Sequence, residues 1–311
     1  MDINTLNDII SFIGADYQVS EKLPVSGQRE VFFGSQDSTG VPCVIKYCVT
    51  NPVAVGRIQR EIRILSGLKS EYFPKIFYQS FITDSILKDF YDNFDLRSEK
   101  QRVRLAEIRS LNIKPFLLTT EERIHHIPWD DCIDRLRNEI VLVELLIHLF
   151  RALGMLWEAQ VAHRDLKPDN ILLRENLNPV IIDLGIAKSF RPGTINFTVV
   201  GSPCTPRYAA PEQLTTTRTG VTYKTDQFSI GVIAYLIMTN RFPYGDVCEI
   251  GEQILANFAK MKIRNIRDYN SSVNEDLILF IEKLLQVHPY KRFRNVETIL
   301  QKLYSIRESI K

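Results

Sequence analysis

One change of texture limits the fold more than anything else in this chain: the first 120 or so residues read as short strands, and from Asp130 onward the sequence reads as helices. From Tyr17 to Tyr47 the apolar residues come in short β-rich runs, Val31-Phe32-Phe33 and Val41 to Tyr47, separated by turn residues between Gly34 and Gly40. Phe73 to Thr83 and Ile113 to Thr119 have the same character. A helix interrupts them: Asn51-Pro52 is a start signal, Ile58, Ile62 and Leu65 share a face, and Gly67 is a stop. Later, Asn138 to Gln160 is a long apolar helix, Phe228 to Met238 is a second without a charge, and 274–287 and 295–309 are amphipathic. Strands gathered before helices predict an α+β fold rather than an alternating parallel one. The expectation is a small antiparallel β lobe with one main helix, then a larger, mainly helical lobe, joined near 119–130. Ile3, Leu6, Ile10 and Ile13 mark a short helix in an N-terminal extension, 1–16, and the charge-dense stretch 84–110 reads as a surface insertion.

Composition excludes several classes of function. Lys and Arg number 39 against 37 Asp and Glu, a net charge of +2, which gives no reason to expect nucleic acid or an anionic membrane as partner. Five cysteines without a C-x-x-C pair argue against a disulfide framework or a zinc site, so a reducing, cytoplasmic setting is expected. The N-terminus lacks the basic region of a signal peptide, and Ile140 to Phe150, interrupted by Glu144 and His148, is too short to span a membrane.

The segment richest in chemistry is His163-Arg164-Asp165-Leu166-Lys167-Pro168-Asp169-Asn170, between the long helix and a short pair of β runs, Ile171 to Leu173 and Val180 to Ile182. A carboxylate and an amide five residues apart on a loop can divide one phosphoryl-transfer centre between them. Asp165 can accept a hydroxyl proton, and the amide oxygen of Asn170 can coordinate a hard Mg²⁺ ion. Thirteen residues on, Asp183-Leu184-Gly185 offers a second metal-binding carboxylate before a residue that permits a sharp turn.

In these motifs the chain resembles a eukaryotic-type protein serine/threonine kinase catalytic domain, with H-R-D-L-K-P-D-N as catalytic loop and D-L-G for D-F-G. The resemblance implies a two-lobed kinase-like fold over about 17–309, N-lobe about 17–119 and C-lobe about 125–309. It also implies an enzyme transferring the γ-phosphoryl group of ATP to Ser or Thr of protein substrates, with Mg²⁺ (Mn²⁺ as an alternative). Lys46, in Cys43-Val44-Ile45-Lys46, is the residue that contacts the phosphates, with Glu61 as its partner; Ser26, Gly27, Val31 and Val44 line the nucleotide. Asn170 and Asp183 hold metal, Asp165 positions the acceptor, and Lys167 offsets charge on the moving group. Thr205 begins a stretch ending in Ala210-Pro211-Glu212, with Glu212 expected to pair with Arg292, and Asp226 to hold the catalytic-loop backbone. Lys167 and Thr205 are the marks of serine/threonine specificity. Arg164 beside Asp165 implies control by phosphorylation of the 183–212 loop, with Thr198 the first candidate over Thr194 and Ser202.

Three departures stand out. Pro24, Ser26 and Arg29 replace the glycines of the phosphate-covering loop, Val44 replaces an alanine, and Leu184 replaces the phenylalanine of D-F-G. Leu118 or Thr119 would guard the back of the nucleotide site. The 84–110 stretch is a candidate for docking a partner. A nucleotide-binding scaffold with little turnover is the alternative from another class, and a small-molecule kinase of related fold the second. The first is opposed by the presence of Lys46, Glu61, Asp165, Asn170 and Asp183, the second by Ala210-Pro211-Glu212.

Overall fold

A computed structural model describes residues 1–24, 29–49, 52–68, 70–184, 187–189, 206–214, 221–245 and 263–310. The chain divides into two compact units: Met1–Lys69 with Pro74–Ile124, and Ser70–Phe73 with His125–Lys311. The class is α+β, as the texture of the sequence predicts.

The N-terminal unit is built on five strands, β1 (Tyr17–Lys22), β2 (Glu30–Gln36), β3 (Pro42–Val49), β4 (Ile76–Ile82) and β5 (Phe116–Glu122). They form one antiparallel sheet in the order β1-β2-β3-β5-β4. Residues paired across strands share a face and successive residues alternate, so register assigns every side chain. Ile45 lies opposite Thr120 and Tyr47 opposite Leu118, while Lys46 lies opposite Thr119 and Val44 opposite Glu121. Cys43, Ile45, Tyr47, Phe116 and Leu118 therefore enter one core. Cys48 and Leu117 enter another on the opposite face, with Ile58 and Ile62 of α2 (Pro52–Gly67). Phe116 to Glu121 are all buried, which requires cover on both sides of β5.

The first core is roofed by helices, and the stretch 84–110, exposed over most of its residues, supplies part of that roof. That stretch forms α3 (Asp84–Asp92) and α4 (Glu99–Ser110), capped by the hydroxyls of Thr83 and Ser98. Leu87, Phe90 and Ile108 are buried in the same cluster as Leu6, Ile9 and Ile10 of α1 (Ile3–Phe12). Phe90 meets Phe12 edge to face at 5.5 Å. Each such side chain contributes about 1.5–3 kcal/mol when fully buried, so a few apolar residues fix a helix pair whose charged residues mostly face solvent. The N-terminal extension and the insertion are thus parts of one core.

The C-terminal unit contains α5 (Trp129–Leu136), α6 (Glu139–Glu158), α7 (Pro211–Leu214), α8 (Lys224–Thr239), α9 (Glu275–Leu284) and α10 (Val296–Ile310). Its strands are short: β6 (Val161–Ala162) pairs with β9 (Lys188–Ser189), and β7 (Ile171–Leu173) with β8 (Pro179–Ile181). Asn138 caps α6 by accepting from the amides of Ile140 and Val141. This helix is long and apolar enough to cross a membrane by length and composition, but Leu142, Leu145, Leu146, Leu149, Phe150 and Leu153 are buried within the unit. Helix α8 is buried along almost its whole length. Gly231 lets it approach α9 closely: a Cβ there would lie 2.9 Å from Leu284 Cβ and 3.1 Å from Leu285 Cγ. Tyr72, from the Ser70–Phe73 excursion, accepts from the amide of Ile181 at 2.8 Å, and its hydroxyl meets His148 Nδ1 at 2.9 Å.

Candidate active site

The chemistry-bearing loop of the C-terminal unit follows β6 and closes with a 3₁₀ turn at Pro168–Asn170. Asn170 Nδ2 donates to the Asp165 carbonyl at 2.8 Å and to Asp165 Oδ2 at 3.2 Å. The amide nitrogen thereby fixes the carboxylate and turns the amide oxygen the other way. Lys167 Nζ lies 3.8 Å from Asp165 Oδ2. Asp165, Lys167 and Asn170, five residues apart at most, are thus brought into one constellation.

His163 is fully buried and joins this loop to the strand end that carries Asp183. Its Nδ1 accepts from the Asp165 amide at 3.3 Å, which places the proton on Nε2, and Nε2 donates to the Ile182 carbonyl at 3.0 Å. The Ile182 amide in turn donates to the Asn170 carbonyl at 3.0 Å. Asp183 follows directly, with an exposed side chain and φ of 60°, while Leu184 beside it is fully buried. Arg164 has φ of 74°. A left-handed backbone at a residue with a Cβ costs about 1–2 kcal/mol, and both occurrences flank the same charged cluster.

The cost at Arg164 is met by Asp226, near the start of α8 and fully buried. Its Oδ1 accepts from the Arg164 amide at 2.9 Å; its Oδ2 accepts from the His163 amide at 3.0 Å and from Trp157 Nε1 at 3.1 Å. Burial pushes the Asp226 carboxyl up, and the three donors and His163 pull against that shift. Glu212 and Arg292 also meet. Arg292 Nη1 and Nη2 donate to the two Glu212 oxygens at 2.7 and 2.9 Å, and further donors reach the carbonyls of Gln286, Val287 and Lys224. Gln213, which carried no sequence signal beyond following Glu212, is a second link: its Nε2 donates to the Arg164 carbonyl at 2.7 Å, and its Oε1 accepts from the Ala210 amide at 3.0 Å.

In the N-terminal unit Glu61 is buried and Lys46 partly so, yet their ion pair is long, 3.9 Å. Each has a nearer partner that sequence motifs do not mark. Lys46 Nζ lies 2.5 Å from Glu121 Oε1, and Arg29 Nη2 lies 2.6 Å from Glu61 Oε2. The register explains the first contact: Val44 faces Glu121 and Lys46 faces Thr119, so Lys46 and Glu121 are diagonal neighbours on one face. Burial alone would push Lys46 down, but Glu121 and Glu61 outweigh it and hold the ammonium above the ordinary lysine range. Burial pushes the Glu121 carboxyl up, and Lys46 pulls it back only in part. Of the two residues expected to guard the back of the site, Thr119 shares the Lys46 face and Leu118 lies in the opposite core. Val31 pairs with Lys46 across β2 and β3. Ser26, Gly27, Gly185, Thr194, Thr198, Ser202 and Thr205 lie outside the described residues.

Among the described residues no group of three or more His, Cys, Asp or Glu side chains gathers as a metal site. Asn170 and Asp183 offer oxygen donors alone, a set that fits Mg²⁺, which keeps several waters and takes its other ligands from phosphate.

Comparison with known proteins agrees with these features. The family model described as protein kinase domain matches residues 118–305, more than half of the chain. A probable serine/threonine-protein kinase of Clostridium perfringens is 26% identical over 244 residues, covering 73% of this chain and 35% of that protein. Myosin light chain kinase A of Dictyostelium discoideum is 36% identical over 161 residues, 50% of this chain and 51% of that protein. The ovarian-specific serine/threonine-protein kinase Lok of Drosophila melanogaster is 29% identical over 180 residues, 55% of this chain and 37% of that protein. The alignments thus span about a third to a half of the length of these relatives.

Proposed function

Because the chain belongs to the eukaryotic-type serine/threonine protein kinase domain family, we propose that it transfers the γ-phosphoryl group of ATP to serine or threonine hydroxyls of protein substrates. The observation that carries this reading is the Asp165–Asn170–Lys167 constellation, bound through His163 and Ile182 to the backbone that presents Asp183.

In this mechanism Lys46 orients the nucleotide phosphates from the N-terminal unit. Asp165, its carboxylate aimed by the Asn170 amide, accepts the proton of the attacking hydroxyl. Lys167 sets a positive charge beside Asp165, where charge on the transferring group grows. Asn170 and Asp183 would hold Mg²⁺, which when bound would offset the negative charge of the phosphates. Asp226 keeps the loop in its left-handed turn, so these groups need no rearrangement as the reaction proceeds. Most of the rate then comes from positioning and electrostatics, with turnover of about 1–100 s⁻¹. Control by phosphorylation of the segment between Asp183 and Glu212, read by Arg164, belongs to the same proposal.

The test is incubation of the full chain with radiolabelled ATP, Mg²⁺ and a generic protein acceptor, beside Asp165→Ala. Incorporation lost in the variant supports the assignment; nucleotide binding with no incorporation by either protein points to a scaffold instead.

A further inference from the structure

We propose that Glu121, and not Glu61, is the positioning residue for Lys46, and that Arg29 engages Glu61 in its place. The inference rests on the nucleotide-binding reading above and concerns four side chains of the N-terminal unit. Each is mostly buried: the exposed side-chain fractions are 14% for Lys46, 8% for Glu121, 4% for Glu61 and 16% for Arg29.

Two cations and two anions in a buried cluster can pair in two ways. Lys46 could take Glu61, leaving Arg29 and Glu121 without their short contacts, or the four could divide as Lys46–Glu121 and Arg29–Glu61. The structure has the second arrangement, with contacts of 2.5 and 2.6 Å, against 3.9 Å for Lys46–Glu61. A charge pair at 2.5 Å is a hydrogen-bonded contact, whereas 3.9 Å is beyond hydrogen-bond reach and is Coulombic only.

The two carboxylates also differ in what carries them. Glu121 stands on β5, the strand hydrogen-bonded on both sides within the sheet, and its place next to Lys46 is dictated by the β3–β5 register. Glu61 stands on α2, which reaches the sheet through side-chain packing. An anchor on the neighbouring strand keeps Lys46 in place whatever the helix does. Arg29 occupies a position where the family pattern has a glycine, so the departure from that pattern supplies the cation that engages Glu61. The loss of a phosphate-loop glycine and the displaced pairing of Lys46 are then one change.

Isothermal titration of the full chain with MgATP tests this. Glu121→Gln is expected to weaken binding by about tenfold, in keeping with loss of a hydrogen bond to a charged group, and Glu61→Gln by about threefold or less. In a Lys46→Met background, Glu121→Gln should add nothing, because its effect passes through Lys46. Arg29→Gln added to Glu121→Gln should recover part of the affinity by releasing Glu61 to Lys46, a rescue that a purely structural role cannot give. If thermal melting shows that Glu121→Gln does not fold, Glu121→Asp, which keeps the charge and shortens the reach, replaces it with the same direction of effect. The assignment is overturned if Glu61→Gln costs as much as Glu121→Gln, if the losses from Glu121→Gln and Lys46→Met add, or if Arg29→Gln brings no recovery. Absence of MgATP binding by the unsubstituted chain overturns the nucleotide reading together with this one. Normal binding by the unsubstituted chain with an indifferent Glu121→Gln overturns this one alone.

Discussion

In the C-terminal unit, Asp226 is gripped by the main-chain amides of His163 and Arg164, and Arg292 gives donors to three main-chain carbonyls besides Glu212. In the N-terminal unit, Arg29, Glu61, Lys46 and Glu121 are paired with one another's side chains. A main-chain donor cannot leave its partner unless the loop unfolds, whereas side-chain pairs can be exchanged by rotating χ angles. The first kind of site is fixed by the fold and the second by a choice among partners. The family model's match begins at residue 118, which leaves most of the N-terminal unit outside it.

The largest effects should fall on catalysis, in the fixed half and at Lys46 of the other. Asp165→Ala and Asp183→Asn are expected to lower phosphoryl transfer by about 10²–10⁴-fold or more without moving the melting temperature, and Lys46→Met to leave only a trace of activity. Radiolabel incorporation reads all three. Activity retained in Asp183→Asn would mean that the fixed half is not the reaction centre. Next comes stability. Arg292→Ala strands a buried carboxylate at Glu212 and should cost about 3–5 kcal/mol in denaturant unfolding. Arg29→Ala leaves Glu61 with Lys46 still at 3.9 Å and should cost less, about 1–2 kcal/mol. Equal losses would erase the distinction between the two halves. Gly231→Ala gains helix propensity but drives a methyl to 2.9 Å from Leu284, so a net loss of about 1–3 kcal/mol is expected from the same unfolding curves. Smallest is a chemical readout of the N-terminal core. Burial raises the Cys43 thiol to about 11, so at pH 8 only about one molecule in a thousand carries the reactive thiolate. Mass spectrometry after iodoacetamide should find Cys43 unmodified in the folded protein and alkylated in denaturant.

How far the sequence could be read follows from where the information sits. His163 to Asn170 lies within one loop, so residue types at fixed offsets display the constellation before any folding is known. Helix α6 shows itself for the same reason: its apolar run and the Asn138 cap are local. Glu121 is different. Its contact with Lys46 depends on which residue of β5 faces which residue of β3, and alternation alone permits any register. Two carboxylates, Glu121 and Glu122, end the strand, and only the structure shows that Glu121 is buried there. The roof of α1, α3 and α4 was hidden for a compositional reason. Leu87, Phe90, Leu105 and Ile108 are few among many charges, and a stripe that narrow reads as solvated until the cluster around Leu6 and Ile9 supplies its other half.

The four-residue excursion Ser70–Phe73 bears on how the chain would respond to a protease. Those residues precede β4 in sequence, yet belong to the C-terminal unit, with the Tyr72 carbonyl bonded to Ile181 and its hydroxyl to His148. A nick between Ile124 and His125 would therefore yield two fragments of which the shorter still carries a piece of the longer one's interior. Such fragments should travel together on a sizing column and part only in denaturant.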